Sequence, residues 1–300
     1  MHIRPLTEED LPQVRELMRS CFVIDTDFYL NYYPVAPRYT TLIAEVNQSI
    51  VGVAAKYYNS THPLWPMMMV VVDAKHRRQG IGQKLHYETL KAKPPEYNIH
   101  GWQAACYQED VDALGFMQDL GYQPVLDCNI IELDLIKFNH TPTLPVNFQH
   151  IKTVTFTELF DSGMKQHVFD FLVDRYIEEH CWSQPVTKEH PDWAKTLEEL
   201  RPELSFALLE GEKIVAASSV LNENPNVLDM CWYYASLEYG QENAQAFLKF
   251  LLTHQFRKSR ELGLTQANLE LDSTDRDKQG LLEWLPIQKH RVWKIFQKPI

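Results

Sequence analysis

The feature that most narrows the folds open to this chain is a pattern that occurs twice. TLIAEVNQSIVGVAAKYYN (41–59) and SFALLEGEKIVAASSVLNE (205–223) share one design at a constant spacing of 164 positions. In each, an apolar stretch reaches a polar turn, Asn47-Gln48 in the first and Gly211-Glu212 in the second, and a second apolar stretch returns. Apolar strands on both sides of a two-residue turn predict a β-hairpin. Each hairpin leads into a further apolar strand, PMMMVVVD or VLDMCWYYA, and then into a segment of helical period. Such a repeat in 300 residues predicts two domains of one architecture, since single cores seldom grow that large.

A run of prolines and turn formers, NHTPTLPVN, sets the expected boundary: a first domain over 1–138, a linker over 139–148 and a second domain over 149–300. The first half reads as a short strand at Ile3-Arg4, a helix opened by Thr7 with Asp10 three residues on, the hairpin, the strand, and a helix after a glycine corner. A strand over 100–108, a helix from Asp110 to Leu120 stopped by Gly121, and a closing strand NIIELDL (129–135) follow. Strands interleaved with helices in this order place the chain in the α/β (α+β) class, each domain a mixed, mostly antiparallel sheet flanked by helices.

The net charge of −11 argues against a nucleic-acid binder that relies on a basic face. The longest strongly apolar run, MMMVVV, is far too short to cross a bilayer, which predicts a protein without membrane spans in the cytoplasm. Five scattered cysteines without a C-x-x-C pair predict reduced thiols and no structural metal, and the histidines show no metal-ligand spacing.

Chemistry concentrates in VVVDAKHRRQGIGQKL (70–85), where an apolar strand passes through a basic corner into a helix. Bare backbone and two arginines at a helix start make an anion site, since unpaired N–H groups and the positive end of the helix dipole point there. The spacing excludes two phosphate-binding designs. Gly82-Gln83-Lys84-Leu85 lacks the Gly-Lys-Ser/Thr of a P-loop, and Leu85 stands where a dinucleotide fingerprint needs its third glycine. Arg77-Arg78-Gln79-Gly80-Ile81-Gly82 remains, an R-x-x-G-x-G run between strand and helix.

These residues resemble the GNAT acetyltransferase superfamily, and DVDALGFMQDLGY (110–122) is similar to that family's helix after the fifth strand. The resemblance covers nearly all of residues 1–137. It implies acetyl-CoA as cosubstrate, with no metal, and a primary amine on a small molecule or peptide as acceptor. It further implies that Arg77, Arg78, Gln79, Gly80, Ile81, Gly82 and Gln83 cradle the pyrophosphate. Val70, Val71 and Val72 would serve the pantetheine arm and thioester oxygen, with Asp110 contributing at the next helix. The chain departs from the family at one place: Met117 occupies the position where many members carry a tyrosine acid. Tyr107 and Tyr122 are the candidate substitutes, and Asp73, Glu45 and Glu132 are base candidates by location alone. The missing tyrosine also motivates a second reading, a non-catalytic acyl-CoA-binding sensor or interaction module.

The second half keeps the pattern and loses the corner. Aligned on the following strand at a spacing of 162, Tyr239 falls at Arg77, Glu242 at Gly80 and Ala244 at Gly82. A carboxylate facing a pyrophosphate is repulsive, so this half is expected to be degenerate and to bind no acyl-CoA. Trp232, Tyr233, Tyr234, Trp284 and Trp293 are its aromatic candidates for core or for a ligand wall.

Overall fold

A computed structural model describes residues 1–22, 39–91, 98–222 and 224–300. In chain order the main elements are β1 (His2–Pro5), α1 (Leu11–Cys21), β2 (Tyr39–Val46), β3 (Ser49–Tyr57), β4 (Met67–Val72), α2 (Ile81–Lys91), β5 (Gly101–Tyr107), α3 (Val111–Asp119) and β6 (Gln123–Asp134). There follow β7 (Lys152–Thr155), α4 (Phe156–Asp161), α5 (Lys165–Glu179), α6 (Asp192–Glu198), β8 (Phe206–Glu210), β9 (Lys213–Val220) and β10 (Leu228–Ala235). The chain ends with α7 (Gln241–Glu261), β11 (Gln266–Asp272), α8 (Leu281–Trp284) and β12 (Ile287–Pro299). Its contacts divide it into two compact units, Met1–Val125 with Ile295–Ile300, and Leu126–Lys294. The division falls ahead of the proline-rich stretch at 139–148, which lies inside the second unit.

In the first unit the strands run β1-β2-β3-β4-β5, followed by the end of β12. The hairpin turn is as the sequence indicates: Asn47 and Gln48 both take positive φ, 49° and 64°, the backbone of a tight two-residue hairpin. Thr7 and Asp10 form the capping box ahead of α1, and Asp10 also holds Arg4 through bonds of 2.6 and 2.8 Å. Packed on one sheet face are Val14, Leu17 and Met18 of α1 against Ile43, Val53 and Val71. On the other, Ile81 and Leu85 of α2 meet Ala44, Val51 and Ala54. Gly52 permits that contact, because a Cβ there would lie 2.8 Å from a Leu85 methyl.

The second unit repeats the order as β7-β8-β9-β10-β11, then β6 and the start of β12. Helix α7 buries Phe247, Leu248 and Leu251 against one face of this sheet, and α4, α5 and α6 bury Phe156, Leu172 and Trp193 against the other. Each unit is thus a mixed, mostly antiparallel sheet with helices on its faces.

The closing strands differ from the sequence reading. NIIELDL, expected to complete the first half, lies in β6 and pairs antiparallel with β11, Leu269 opposite Ile131 and Leu271 opposite Asn129. The last strand, β12, ends beside β5, where Gln297 donates to the Gln103 side chain at 3.2 Å and Lys298 to the Leu120 carbonyl at 2.7 Å. An alternating apolar strand fits any unpaired edge of matching pattern, so its partner is decided by connection and packing rather than by its own sequence.

Candidate functional site

The run MMMVVV is β-branched at its end and forms β4 with an unequal pair of edges. Along one edge it pairs with β3 throughout, from Tyr57 opposite Met67 to Gly52 opposite Val72. Along the other it meets β5 in parallel at Met67 opposite Gln103, and beyond that point the strands diverge. Two hydrogen bonds fix which peptide groups face the resulting opening. The Asp73 N–H donates to the Val51 carbonyl at 2.9 Å on the β3 side, and the Pro66 carbonyl accepts from the Gln103 N–H at 2.9 Å on the β5 side. Strand alternation then turns the backbone of Met68, Val70 and Val72 toward the opening and that of Met69 and Val71 toward β3. Of the three valines singled out in the sequence, Val70 and Val72 offer backbone to the opening. Val71 does not, and its side chain is buried against α1.

β4 leads into the corner through a short turn, Ala74–His76, closed by a 2.6 Å contact between His76 Nδ1 and Asp73. That hydrogen bond holds the Asp73 carboxyl below the usual carboxylate range. Arg78 and Gly80 follow in the left-handed region, at φ 60° and 77°. The first intrahelical bond runs from the Lys84 N–H to the Gly80 carbonyl at 3.0 Å, so the N–H groups of Ile81, Gly82 and Gln83 precede any helical acceptor and open toward the corner. The two glycines have different causes. Gly80 is set by its backbone angle, with open space where a Cβ would stand. Gly82 is set by close approach, since a Cβ there would lie 3.2 Å from the Phe116 ring and 3.4 Å from Val72.

Arg77 donates through Nε to the Val72 carbonyl at 3.1 Å, which places its guanidinium where the opening meets the corner. Both arginines face Asp112 at the start of α3, Arg78 at 3.0 Å and Arg77 at 3.7 Å. Asp112 was not legible from spacing. The residue the sequence singles out there, Asp110, instead caps its own helix by accepting from the Ala113 N–H at 3.0 Å. Gln79 donates to the Lys75 carbonyl at 3.3 Å. Ile81 is buried and pins α2 to the sheet. Gln83 joins Gly80, Lys84 and Tyr87 along a groove of about 710 Å³ on the outer side of α2.

The proton-handling candidates separate. Tyr107 stands half-buried at the end of β5, one turn before α3. Tyr122 is only 1% exposed, and its hydroxyl lies 3.0 Å from His86 Nε2 beneath α2. Burial raises the Tyr122 hydroxyl, and burial together with the Lys298 charge lowers His86 to about 4, so both are neutral at pH 7. A hydroxyl without solvent access and already in a buried pair has the setting of a core group. Met117 is buried against Trp102 and Leu120. The base candidates all have partners: Asp73 has His76, Glu45 has Arg4 at 3.2 Å, and Glu132 has Lys289 at 2.7 Å. Among the described residues no cluster of His, Cys, Asp or Glu is arranged to hold a metal, and no helix is long and apolar enough to cross a membrane.

In the second unit the Ser236 N–H bonds the Val215 carbonyl at 2.8 Å, as Asp73 bonds Val51, and the turn Leu237–Tyr239 follows as Ala74–His76 does. Ala244 N–H then bonds the Gly240 carbonyl at 3.0 Å, as Lys84 bonds Gly80, and Gly240 takes φ 83°. Gly240 therefore stands at Gly80 and Glu242 at Gly82, which corrects the alignment made from sequence. The second corner has lost the three residues that correspond to Arg77, Arg78 and Gln79 and with them both arginines.

Residues 37–124 match the family model for the acetyltransferase (GNAT) domain. No curated protein matches the chain in sequence. Among solved structures, a GCN5-related N-acetyltransferase from Sphaerobacter thermophilus superposes with a TM-score of 0.66 at 18% identity, over 99% of this chain and 95% of that one. The GCN5-related glucosamine N-acetyltransferase region of a fungal multi-domain GH3 β-N-acetylglucosaminidase gives 0.67 at 12% identity, over 99% of this chain and 38% of that one. A tandem GNAT protein from the clavulanic acid biosynthesis pathway gives 0.60 at 13% identity, over 99% of this chain and 98% of that one. At such identities the likeness is one of fold, and it extends through both units.

Proposed function

We propose, from the premise that the first unit carries a GNAT acetyltransferase domain, that the chain transfers the acetyl group of acetyl-CoA to a primary amine on a small molecule or peptide. One observation carries this reading. The divergence of β4 from β5 leaves the backbone of Val70 and Val72 turned to an opening that runs into the left-handed corner at Arg78 and Gly80. That is a slot for an extended chain with a phosphate cradle at its end. Arg77, Arg78 and the N–H groups of Ile81, Gly82 and Gln83 would hold the pyrophosphate, because both the cations and the helix end favour negative charge there. Backbone N–H groups along β4 would stabilise negative charge on the thioester oxygen.

Acetyl-CoA supplies an activated acyl group. The amine nitrogen bonds to its carbonyl carbon, the carbon–sulfur bond breaks, the amine gives up one proton and the thiolate gains one. Tyr107 is the side chain we assign to the second proton transfer, with water as the route for the first. Five free cysteines support a reducing, cytoplasmic setting.

Met117 favours a second reading, in which the unit binds acyl-CoA without turnover. Incubation with acetyl-CoA and a panel of amines separates the two. Free thiol released well above the amine-independent rate supports the transferase, whereas tight coenzyme A binding with no acceptor-dependent release supports the binding module.

A further inference from the structure

The second unit opens its sheet in the same place as the first and then fills the opening itself. β10 pairs with β11 in parallel only at Leu228 opposite Ala267 and Asp229 opposite Asn268, after which the strands part. Because the Ser236 N–H bonds β9, the preceding Ala235 N–H faces the opening, in the position that Val72 holds in the first unit. That N–H is taken by the chain's own carboxylate: Asp277 Oδ2 accepts from it at 2.7 Å. The fully buried Asp277 also faces Arg175 at 3.7 Å, and Arg175 is bound to Glu179 at 2.5 Å.

The neighbouring residues close the rest of the slot. Lys278 is buried with its ammonium 2.8 Å from Asp275 and 4.4 and 4.5 Å from the rings of Tyr233 and Tyr234. Across the opening the Tyr233 hydroxyl donates to the Glu270 carbonyl of β11. A buried carboxylate on a strand N–H and a buried ammonium on its counterion are costly to separate, since each group left alone in the interior would be an uncompensated charge.

We propose that the turn at 275–278 is a built-in occupant of the second unit's strand opening, which holds that opening shut against acyl-CoA and leaves the chain with one acyl-CoA site. The proposal rests on the reading of the first unit's opening as the place where coenzyme A binds. The shortened corner supports it independently: even an emptied slot would lack both arginines at its phosphate end. The aromatic pair Tyr233 and Tyr234 is accordingly a cover for Lys278 and not the wall of a ligand pocket.

Two measurements test it. Calorimetric titration with coenzyme A should give one equivalent for the wild-type chain, and that equivalent should weaken about 100-fold in Gly80→Glu. A second equivalent, or one that keeps its wild-type affinity in Gly80→Glu, overturns the proposal. No binding to either protein would refute the reading of the first unit while agreeing with a closed second one. Hydrogen exchange of the Ala235 amide reads the occupant directly. It should quicken about tenfold or more in Asp277→Ala and stay slow in Asp277→Asn, which keeps an acceptor oxygen. An Ala235 amide that exchanges at its wild-type rate in Asp277→Ala also overturns the proposal. Should Asp277→Ala fail to fold, wild-type stoichiometry and the Asp277→Asn exchange rate decide.

Discussion

Replacing Lys56 with methionine should change how the first unit responds to alkali. Lys56 projects from β3 beneath α2, fully buried, with its ammonium 3.2 Å from the Thr89 carbonyl and 5.1 Å from the centre of the Trp102 ring. Burial lowers its pKa from the ordinary 10.5 to about 8. Between those values the unfolded chain holds a proton that the folded chain has released, so stability rises with pH across that window. At 1.36 kcal/mol per tenfold, the gap is worth roughly 3 kcal/mol. Methionine fills similar space without the charge, and its removal of the Thr89 bond costs about 1 kcal/mol. Lys56→Met should therefore be more stable than wild type near pH 7.5 and lose about 2 to 3 kcal/mol of that advantage by pH 10. Urea titrations of both proteins at several pH values measure this, with groups titrating elsewhere cancelling in the difference. Parallel curves from pH 7.5 to 10 would refute the reasoning, since a lysine that keeps its proton when folded gives no such slope.

Four further variants bear on the first unit. Gly80→Glu should weaken coenzyme A binding about 100-fold and lower stability by about 1–2 kcal/mol, because it sets a carboxylate at the corner and a side chain at positive φ. Arg77→Ala should weaken binding by about tenfold or less, its guanidinium being one of several groups there; calorimetry that finds both affinities unchanged would remove the phosphate cradle. Tyr107→Phe should lower kcat about 100-fold with the KM for acetyl-CoA retained, whereas Tyr122→Phe should keep kcat and cost about 1–2 kcal/mol of stability through the lost His86 partner. A kcat loss confined to Tyr122→Phe would reverse that assignment.

What was legible in the sequence was whatever depends on local chemistry. The hairpins announce themselves through apolar strands and a turn whose residues tolerate positive φ. The corner does so through glycines and arginines in a fixed order. Register across the two halves was less secure, because a deletion between a turn and a helix is invisible to an alignment anchored on the strand before it. Such an alignment sets Glu242 against Gly80, whereas Gly240 occupies the equivalent backbone position. Burial was also hidden: Tyr107 and Tyr122 are equally plausible donors on paper, and only the packing around His86 tells them apart. Asp112 lies two residues from Asp110, and its link to Arg77 and Arg78 spans more than thirty positions of chain.

The exchange of closing strands imposes an order on the making of this protein. Residues 1–125 leave the ribosome first, but the strand that lies beside β5 belongs to residues 295–299. Until residues 295–299 emerge, the β5 edge waits without its neighbour while some 170 intervening residues are synthesised, which at about 5–20 residues per second is a delay of roughly 10 to 30 seconds. An exposed strand edge is a template for pairing with other chains during that interval. The nascent first unit therefore has its greatest need of protection while residues 126–294 are being made, and a fragment cut at residue 138 would keep the glycine corner yet never acquire the strand that completes its sheet.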